Sequence, residues 1–130
     1  MWAVSFEDEF AKEFKQLDAE VQDAILAYAK ALASEGPRLG RPWADTLKGS
    51  KHANMKELRP TVNKVEWRVA FAFDPDRRAI LLAAVAKGGT KTAYKRLIAT
   101  ADRRFGAHME AIKAKSSGKA GRPAKAKRRK

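Results

Sequence analysis

Residues 65–73, VEWRVAFAF, alternate between large apolar side chains and a second set that is small or charged. Successive side chains of a β-strand point to opposite faces of its sheet, so this alternation predicts a strand with one core-facing side. We expect the large apolar residues to face the core: Val65, Trp67, Val69, Phe71 and Phe73. The opposite side carries Glu66, Arg68, Ala70 and Ala72, which predicts a floor of small residues with one guanidinium standing on it.

The first 36 residues show the three- and four-residue apolar spacing of helices after a short predicted strand at residues 2–5. Ser5 and Asp8 resemble a capping box, which predicts that the first helix begins near Ser5. Asp18 is the predicted cap of a second helix, and Gly36 followed by Pro37 predicts its end. Two consecutive helices with a short joint predict an αα-hairpin.

The middle of the chain predicts a long loop followed by three strands. Residues 37–54 have weak periodicity, and we expect one helical turn near residues 43–47. Strands are predicted at residues 55–59, 65–73 and 79–87, and the short turn-forming links between them indicate an antiparallel meander. A final helix is predicted at residues 92–112, with an apolar side made of Tyr94, Leu97, Ile98, Ala101, Phe105 and Met109.

Together these elements predict one α+β domain at residues 1–112. We expect a small, mainly antiparallel four-stranded sheet, packed by an N-terminal helical hairpin, with an additional C-terminal helix. Residues 113–130 are highly charged and poor in apolar residues, so we expect a disordered basic tail. The chain has no cysteine and no apolar run that could span a bilayer, which favours a cytoplasmic protein without membrane contact.

The net charge of +13 is unevenly distributed along the chain. Residues 1–36 carry three Lys/Arg and eight Asp/Glu, whereas residues 37–112 carry sixteen and seven, and the tail carries nine basic residues and no acidic one. A basic second half with a basic tail indicates a polyanionic partner, most simply nucleic acid. The alternative is a solvated basic face that serves solubility.

Two arginines are the main candidates for chemistry. By strand alternation, Arg59 shares a sheet face with Arg68, and two guanidiniums over small side chains form a concave cationic patch that suits a phosphate. Lys87 would add a third cation at the rim. The alternative is that each arginine pairs with a neighbouring carboxylate, Glu57 or Glu66.

Further residues have weaker assignments. Lys87 or Lys56 is a conceivable general base if neighbouring cations lower its pKa, and Tyr94 is a candidate acid, base or stacking surface, with a core role as the alternative. The predicted nucleic-acid ligands are Lys48, Lys51, His52, Lys56, Lys91 and Lys95. For His52 the alternative is an exposed loop histidine without a role. Asp74 and Asp76 could suggest a metal site, but a hairpin turn explains both residues. No cluster in the sequence has metal-ligand spacing, so we expect neither a metal nor a cofactor.

A set of motifs then resembles a known family. The stretches are LGRPWADTLKGSKHANMKELRP at residues 39–60, EWRVAFAFDPDRRAILLAAVAKGG at residues 66–89 and YKRLIATADRRF at residues 94–105. Within them KELR, the strand-borne WR, FDPDR and the lysine that closes the last strand occur in order. On these motifs residues 1–110 resemble the phage-derived HigB-like branch of the RelE/ParE toxin superfamily.

The resemblance implies the toxin of a type II toxin–antitoxin system, with a RelE-like fold, that cleaves mRNA on the ribosome without metal and inhibits translation. It implies a cognate antitoxin, commonly a helix-turn-helix protein, and it places Arg59, Arg68, Lys87 and Tyr94 on the active face. The superfamily also includes ParE-like gyrase inhibitors, so a non-enzymatic protein inhibitor is the alternative. A phage-derived DNA-associated protein that uses the basic tail is another.

Overall fold

The computed structural model of the chain describes residues 1–87 and 91–121. The elements follow one another in the order β1 (Ala3–Phe6), α1 (Asp8–Phe14), α2 (Ala19–Glu35), a 3-10 turn (Gly36–Arg38), β2 (Ala44–Thr46), β3 (Lys56–Leu58), β4 (Thr61–Val62), β5 (Val65–Phe73), β6 (Arg78–Ala86) and α3 (Lys91–Gly121). Within these two ranges no helix is both long and apolar enough to cross a membrane.

The strands form one mainly antiparallel sheet in the order β1-β6-β5-β3-β2, with β4 paired to β5. Only the β1–β6 pair is parallel among the described strands. The predicted α+β architecture is confirmed, but the sheet has six strands rather than four. The two unpredicted strands, β2 and β4, are three and two residues long, which is too short for alternation to show in the sequence.

Two local predictions are wrong. The segment expected to make a helical turn near residues 43–47 contains β2 instead, because Ala44–Thr46 pairs with β3. The first helix begins at Asp8, and its N-cap is Glu7, whose carboxylate accepts a 2.8 Å hydrogen bond from the Phe10 amide. Ser5 cannot cap the helix because it lies in β1.

Helices cover both faces of the sheet. The face with Val69 and Phe71 packs against α1 and α2 through a cluster that includes Phe10, Ile25 and Leu32. The opposite face packs against α3 through a second cluster, which includes Ala70, Ala72, Leu82, Leu97, Ala101 and Phe105. The predicted core-facing side of β5 is confirmed for Trp67, Val69, Phe71 and Phe73, whereas Val65, at the start of the strand, is 42% exposed. The alanine floor is not open, since α3 buries both alanines.

A buried arginine attaches α3 to the N-terminal half of the chain. Arg104 is 5% exposed, and its Nη1 donates to Glu13 Oε1 at 2.9 Å and to the Leu82 carbonyl at 2.8 Å. Its Nη2 also contacts the second Glu13 oxygen, so the carboxylate is held bidentately. The hydrogen bond and charge of Arg104 lower the pKa of Glu13. This pairing joins α3 to α1 and β6.

The C-terminal helix is longer than its sequence pattern predicts. It was expected to end at residue 112, but α3 continues to Gly121 and so includes the first part of the predicted disordered tail. Residues 122–130, which contain the rest of that tail, lie outside the described residues.

Gly36 closes α2 in a backbone conformation that few other residues adopt, with φ 58° and ψ −140°. A Cβ at this position would lie 2.3 Å from Trp2 Nε1. We therefore expect Gly36→Ala to lower the free energy of unfolding by about 2 kcal/mol, through backbone strain and the displaced indole. Urea unfolding measures this loss. Gly40→Ala is the control, since its Cβ would meet no atom closer than 3.9 Å, and a loss equal to that of Gly36→Ala would contradict the prediction.

Candidate active site

A cleft of about 470 Å³ lies where the end of β6 and the start of α3 meet strands β3 and β5. Its polar lining consists of Glu57, Arg59, Arg68, Lys87, Lys91, Tyr94 and Lys95. All four residues predicted to be catalytic therefore line one cleft, together with two of the six predicted nucleic-acid ligands. Five cations around a single cleft make it a candidate site for a phosphate group.

Glu57 lies at the centre of the polar contacts in this cleft. Its Oε1 accepts a 2.6 Å hydrogen bond from the Tyr94 hydroxyl. Its Oε2 lies 3.5 Å from Arg68 Nε and 3.7 Å from Arg59 Nε. The sequence prediction treated Glu57 only as an alternative partner of the arginines. Strand alternation already placed it on the face of Arg59, so that pattern was the signal that could have identified it.

Arg68 is almost fully buried, at 2% exposed, rather than standing on an open floor. Besides its contact with Glu57, its Nη2 donates to Glu66 Oε1 at 2.8 Å and its Nη1 donates to the Trp67 carbonyl at 3.0 Å. The sequence analysis gave pairing of the arginines with neighbouring carboxylates as the alternative interpretation. Such pairs are present in the cleft itself. These contacts fix the guanidinium in place.

Arg59 is the more accessible of the two arginines, with 30% of its side chain exposed. Apart from Glu57, its guanidinium has Asp45 Oδ2 as a partner, 3.8 Å from Nη1. Asp45 is itself held by Arg41, whose Nε donates to the same oxygen at 2.9 Å. Hydrogen bonds from the Thr46 amide and from Arg41 lower the pKa of Asp45. The long distances to its carboxylates leave Arg59 able to contact a ligand.

Lys87 reaches the cleft because of an irregularity in β6. Ala70 pairs with Ala83 and Phe71 with Leu81, so Leu82 is an extra residue and the alternation of β6 shifts there. Val85 therefore faces the α3 side, and Lys87, two residues later, lines the same cleft. Its Nζ lies 3.6 Å from Glu66 Oε1.

Tyr94 stands in the first turns of α3 and packs against the core cluster under that helix. Burial raises the pKa of its hydroxyl, and the hydrogen bond to the Glu57 carboxylate raises it further. The phenol therefore stays protonated at neutral pH and acts as a donor to Glu57. Tyr94 therefore packs as a partly buried core residue and also lines the cleft.

The other predicted nucleic-acid ligands lie away from the cleft. Lys56 points to the opposite side of β3, where its Nζ lies 3.5 Å from the Pro37 carbonyl. The loop that carries Lys48, Lys51 and His52 does not line the cleft, because it is attached to α3 further along the helix, where the Lys51 amide donates to Asp102. His52 is half-buried, with its ring 5.0 Å from that of Phe105.

The turn between β5 and β6 agrees with the prediction for its acidic residues. Asp74 Oδ1 accepts hydrogen bonds from the amides of Asp76 and Arg78 at 2.9 and 3.0 Å, so the carboxylate organises the hairpin. Across residues 1–87 and 91–121, no three His, Asp or Glu side chains are grouped so that they could hold a metal ion.

Comparisons with known proteins find one matching family and two relatives that are assigned as toxins. The family profile described as phage derived protein Gp49-like matches residues 12–106. HigB2 of Mycobacterium tuberculosis, assigned as a toxin, is 47% identical over 95 residues, which make up 72% of this chain and 47% of HigB2. HigB3 of the same organism, also assigned as a toxin, is 41% identical over 92 residues, which make up 70% of this chain and 79% of HigB3.

A solved structure shares the fold. It is that of a variant of the Escherichia coli toxin RelE in the free state, with two arginines replaced by alanine, and it superposes with a TM-score of 0.55 at 12% identity. The superposition covers 75% of this chain and 95% of that one. The fold is therefore RelE-like, whereas the match to HigB2 spans only about half of that relative's length.

Proposed function

The chain belongs to the Gp49-like family of phage-derived proteins, and from this membership we propose that it is the toxin of a toxin–antitoxin pair that cleaves mRNA on the ribosome. Relatives assigned as toxins support the first part of the proposal. The second part rests on the cleft. Its five cations, with Tyr94 and a buried carboxylate between them, are the observation that carries it.

The chemistry we propose is attack by a ribose 2′-hydroxyl on its own 3′-phosphodiester. The P–O bond to the 5′-oxygen of the next nucleotide breaks, and the products are a 2′,3′-cyclic phosphate and a free 5′-hydroxyl. Negative charge builds on the non-bridging oxygens in the transition state. Donors already oriented toward such charge are worth roughly 10²–10³ in rate each. Arg59 is the candidate for this contact, since it is partly exposed in the cleft and its ion pairs are long.

Glu57 is our candidate for the base that takes the 2′-hydroxyl proton. Tyr94 is unsuited to that role because its raised pKa keeps it protonated, and Lys56 is unsuited because it lies on the other side of β3. Arg68 and Tyr94 hold the Glu57 carboxylate from two sides and orient it. Lys87, at the rim of the cleft, is our candidate for the acid that gives a proton to the departing 5′-oxygen.

The proposed partners are the ribosome with its mRNA and a cognate antitoxin, expected to be a helix-turn-helix protein. A concave site with five cations favours an acidic antitoxin segment, because opposite charge speeds association and also blocks phosphate binding. Such a segment would cover the cleft in the neutralised complex.

The proposal is tested by adding the purified protein to ribosomes that carry a defined mRNA and by mapping both ends of any fragments. We expect cyclic phosphate and 5′-hydroxyl ends, with Arg59→Ala reducing the rate by about 10²–10³. Arg38→Ala is the matched control: it removes the same charge from a side chain that is 83% exposed and lies outside the cleft, and its rate should stay within about twofold of wild type. Growth arrest without cut mRNA would overturn the proposal and favour a protein inhibitor.

A further inference from the structure

One carboxylate beside the cleft contacts two of the cations that line it and has no role in the proposed reaction. Glu66 precedes Arg68 by two residues in β5, so the two side chains share a face of the strand. Its Oε1 lies 2.8 Å from Arg68 Nη2 and 3.6 Å from Lys87 Nζ. A single anionic oxygen therefore bridges two of the cations that surround the cleft.

The three groups differ in how freely they can move. The Arg68 side chain is only 3% exposed and is fixed by Glu57 and by the Trp67 carbonyl. Glu66 and Lys87 are about half exposed, at 52% and 55%. The hydrogen bond from Arg68 and the charge of Lys87 lower the pKa of Glu66, which is therefore ionised at neutral pH. Glu66 can turn out into water, whereas the Arg68 guanidinium stays in place.

We infer that Glu66 is a built-in competitor of the substrate, whose carboxylate occupies the position where a phosphodiester of RNA binds Arg68 and Lys87. This inference rests on the proposed function. A phosphate oxygen can make the same two contacts, since guanidinium and ammonium groups bind carboxylates and phosphates alike. The RNA must first displace Glu66 from both cations, so the carboxylate lowers the affinity of the free protein for RNA.

The consequence is a site that favours RNA already held in place. For free RNA, the free-energy cost of displacing Glu66 lowers the net affinity for the cleft. RNA held by a ribosome reaches the cleft at a high effective concentration, which offsets this loss of affinity. Glu66 is thus a specificity-determining residue rather than a catalytic one, and its removal should improve binding of free RNA without improving the chemical step.

Binding is tested with a probe that cannot be cut, a fluorescein-labelled RNA hexamer with 2′-O-methyl groups throughout, by fluorescence anisotropy. We expect Glu66→Gln to bind it about three- to tenfold more tightly than wild type, because two partly exposed ion pairs no longer have to be broken. Glu110→Gln is the matched control. It makes the same change in net charge at an exposed position of α3 that is sixteen residues beyond Tyr94, about 24 Å along the helix. Its affinity should stay within about twofold of wild type.

Two further measurements separate competition from a structural effect. Glu66→Asp retains the charge and should bind the hexamer like wild type within about threefold. In cleavage of ribosome-bound mRNA, Glu66→Gln should lower KM while kcat changes by less than about twofold, because Glu66 is absent from the chemical step. A mere loss of packing would instead lower kcat and the unfolding free energy together.

The inference is overturned if Glu66→Gln binds the hexamer no more tightly than Glu110→Gln does, or if neither wild type nor Glu66→Gln binds it. Because the hexamer cannot react, these results do not depend on catalysis. A protein that binds it as expected but leaves mRNA intact would contradict only the proposed reaction. If the protein cuts mRNA but Glu66→Gln, Glu66→Asp and Glu110→Gln all bind the hexamer with equal affinity, only the role of Glu66 is contradicted.

Discussion

Glu57→Gln is expected to reduce cleavage of ribosome-bound mRNA by roughly 10²–10⁴, the range typical of a lost general base. Glutamine has nearly the same shape and can still accept the hydrogen bond that Tyr94 donates to Oε1. It cannot take a proton from a 2′-hydroxyl at neutral pH. Single-turnover cleavage at saturating ribosome concentration measures the chemical step directly, with circular dichroism to confirm that the variant is folded.

Tyr94→Phe separates the proposed base, Glu57, from the group that we propose orients it. This variant removes the donor to Glu57 but leaves the carboxylate, so its loss of rate should be smaller than that of Glu57→Gln. Glu110→Gln controls for the change in net charge. If Glu57→Gln cut mRNA within about threefold of the wild-type rate, Glu57 would be a residue that positions the arginines, and the base would have to be sought elsewhere.

Arg68→Ala should destabilise the protein by about 3–5 kcal/mol as well as abolish activity, because it removes one partner of a buried charge pair. Arg68 and Glu57 are 2% and 6% exposed. Without Arg68 the buried Glu57 carboxylate would keep its hydrogen bond from Tyr94, but Arg59, 3.7 Å away, would be its remaining cationic partner in the cleft. Urea unfolding monitored by tryptophan fluorescence gives the change in unfolding free energy. Toxicity in cells would then be lost partly through loss of folded protein.

Arg59→Ala is the natural comparison, since its side chain is 30% exposed and lies 3.7 and 3.8 Å from its carboxylate partners. We expect it to lower the unfolding free energy by no more than about 1 kcal/mol. The two variants should therefore differ in stability while both lose cleavage. Equal stabilities for Arg68→Ala and Arg59→Ala would show that the buried Arg68–Glu57 pair contributes little to the unfolding free energy. Water or another side chain would then compensate the charge of Glu57.

The composition of the cleft was largely predictable, and the contacts within it were not. Alternation along β5 and β3 places Arg68 and Arg59 on one face, and it places Glu57 there as well. The pattern could not show that α3 would cover the alanines of that face and so bury Arg68. It could not reveal that Lys48, Lys51 and His52 belong to a loop attached to α3 outside the cleft. Both outcomes depend on where a distant helix packs.

The orientation of Lys87 also depends on a feature of the fold that the residue pattern does not show. Simple alternation from Ile80 and Leu82, which face α3, would put residue 87 on the opposite side of the sheet. The extra residue at Leu82 reverses the alternation and turns Lys87 toward Arg68. The resemblance to known toxins predicted Lys87 on the active face, and the bulge is the physical reason that Lys87 lines the cleft. Nothing in AILLAAVAK predicts a bulge, because the segment is apolar on both faces.

The local sequence pattern accounts for the strand alternation, the two N-terminal helices, the apolar side of α3 and the basic character of the second half. These properties follow from side-chain spacing over a few residues, and spacing is local. Which charged groups meet depends on the tertiary fold. Glu57 joins Tyr94 from thirty-seven positions away, and Arg104 joins Glu13 from ninety-one. Such pairs form because the sheet and the helices bury their apolar faces against one another, and charged groups brought to the same place must be paired where water is excluded.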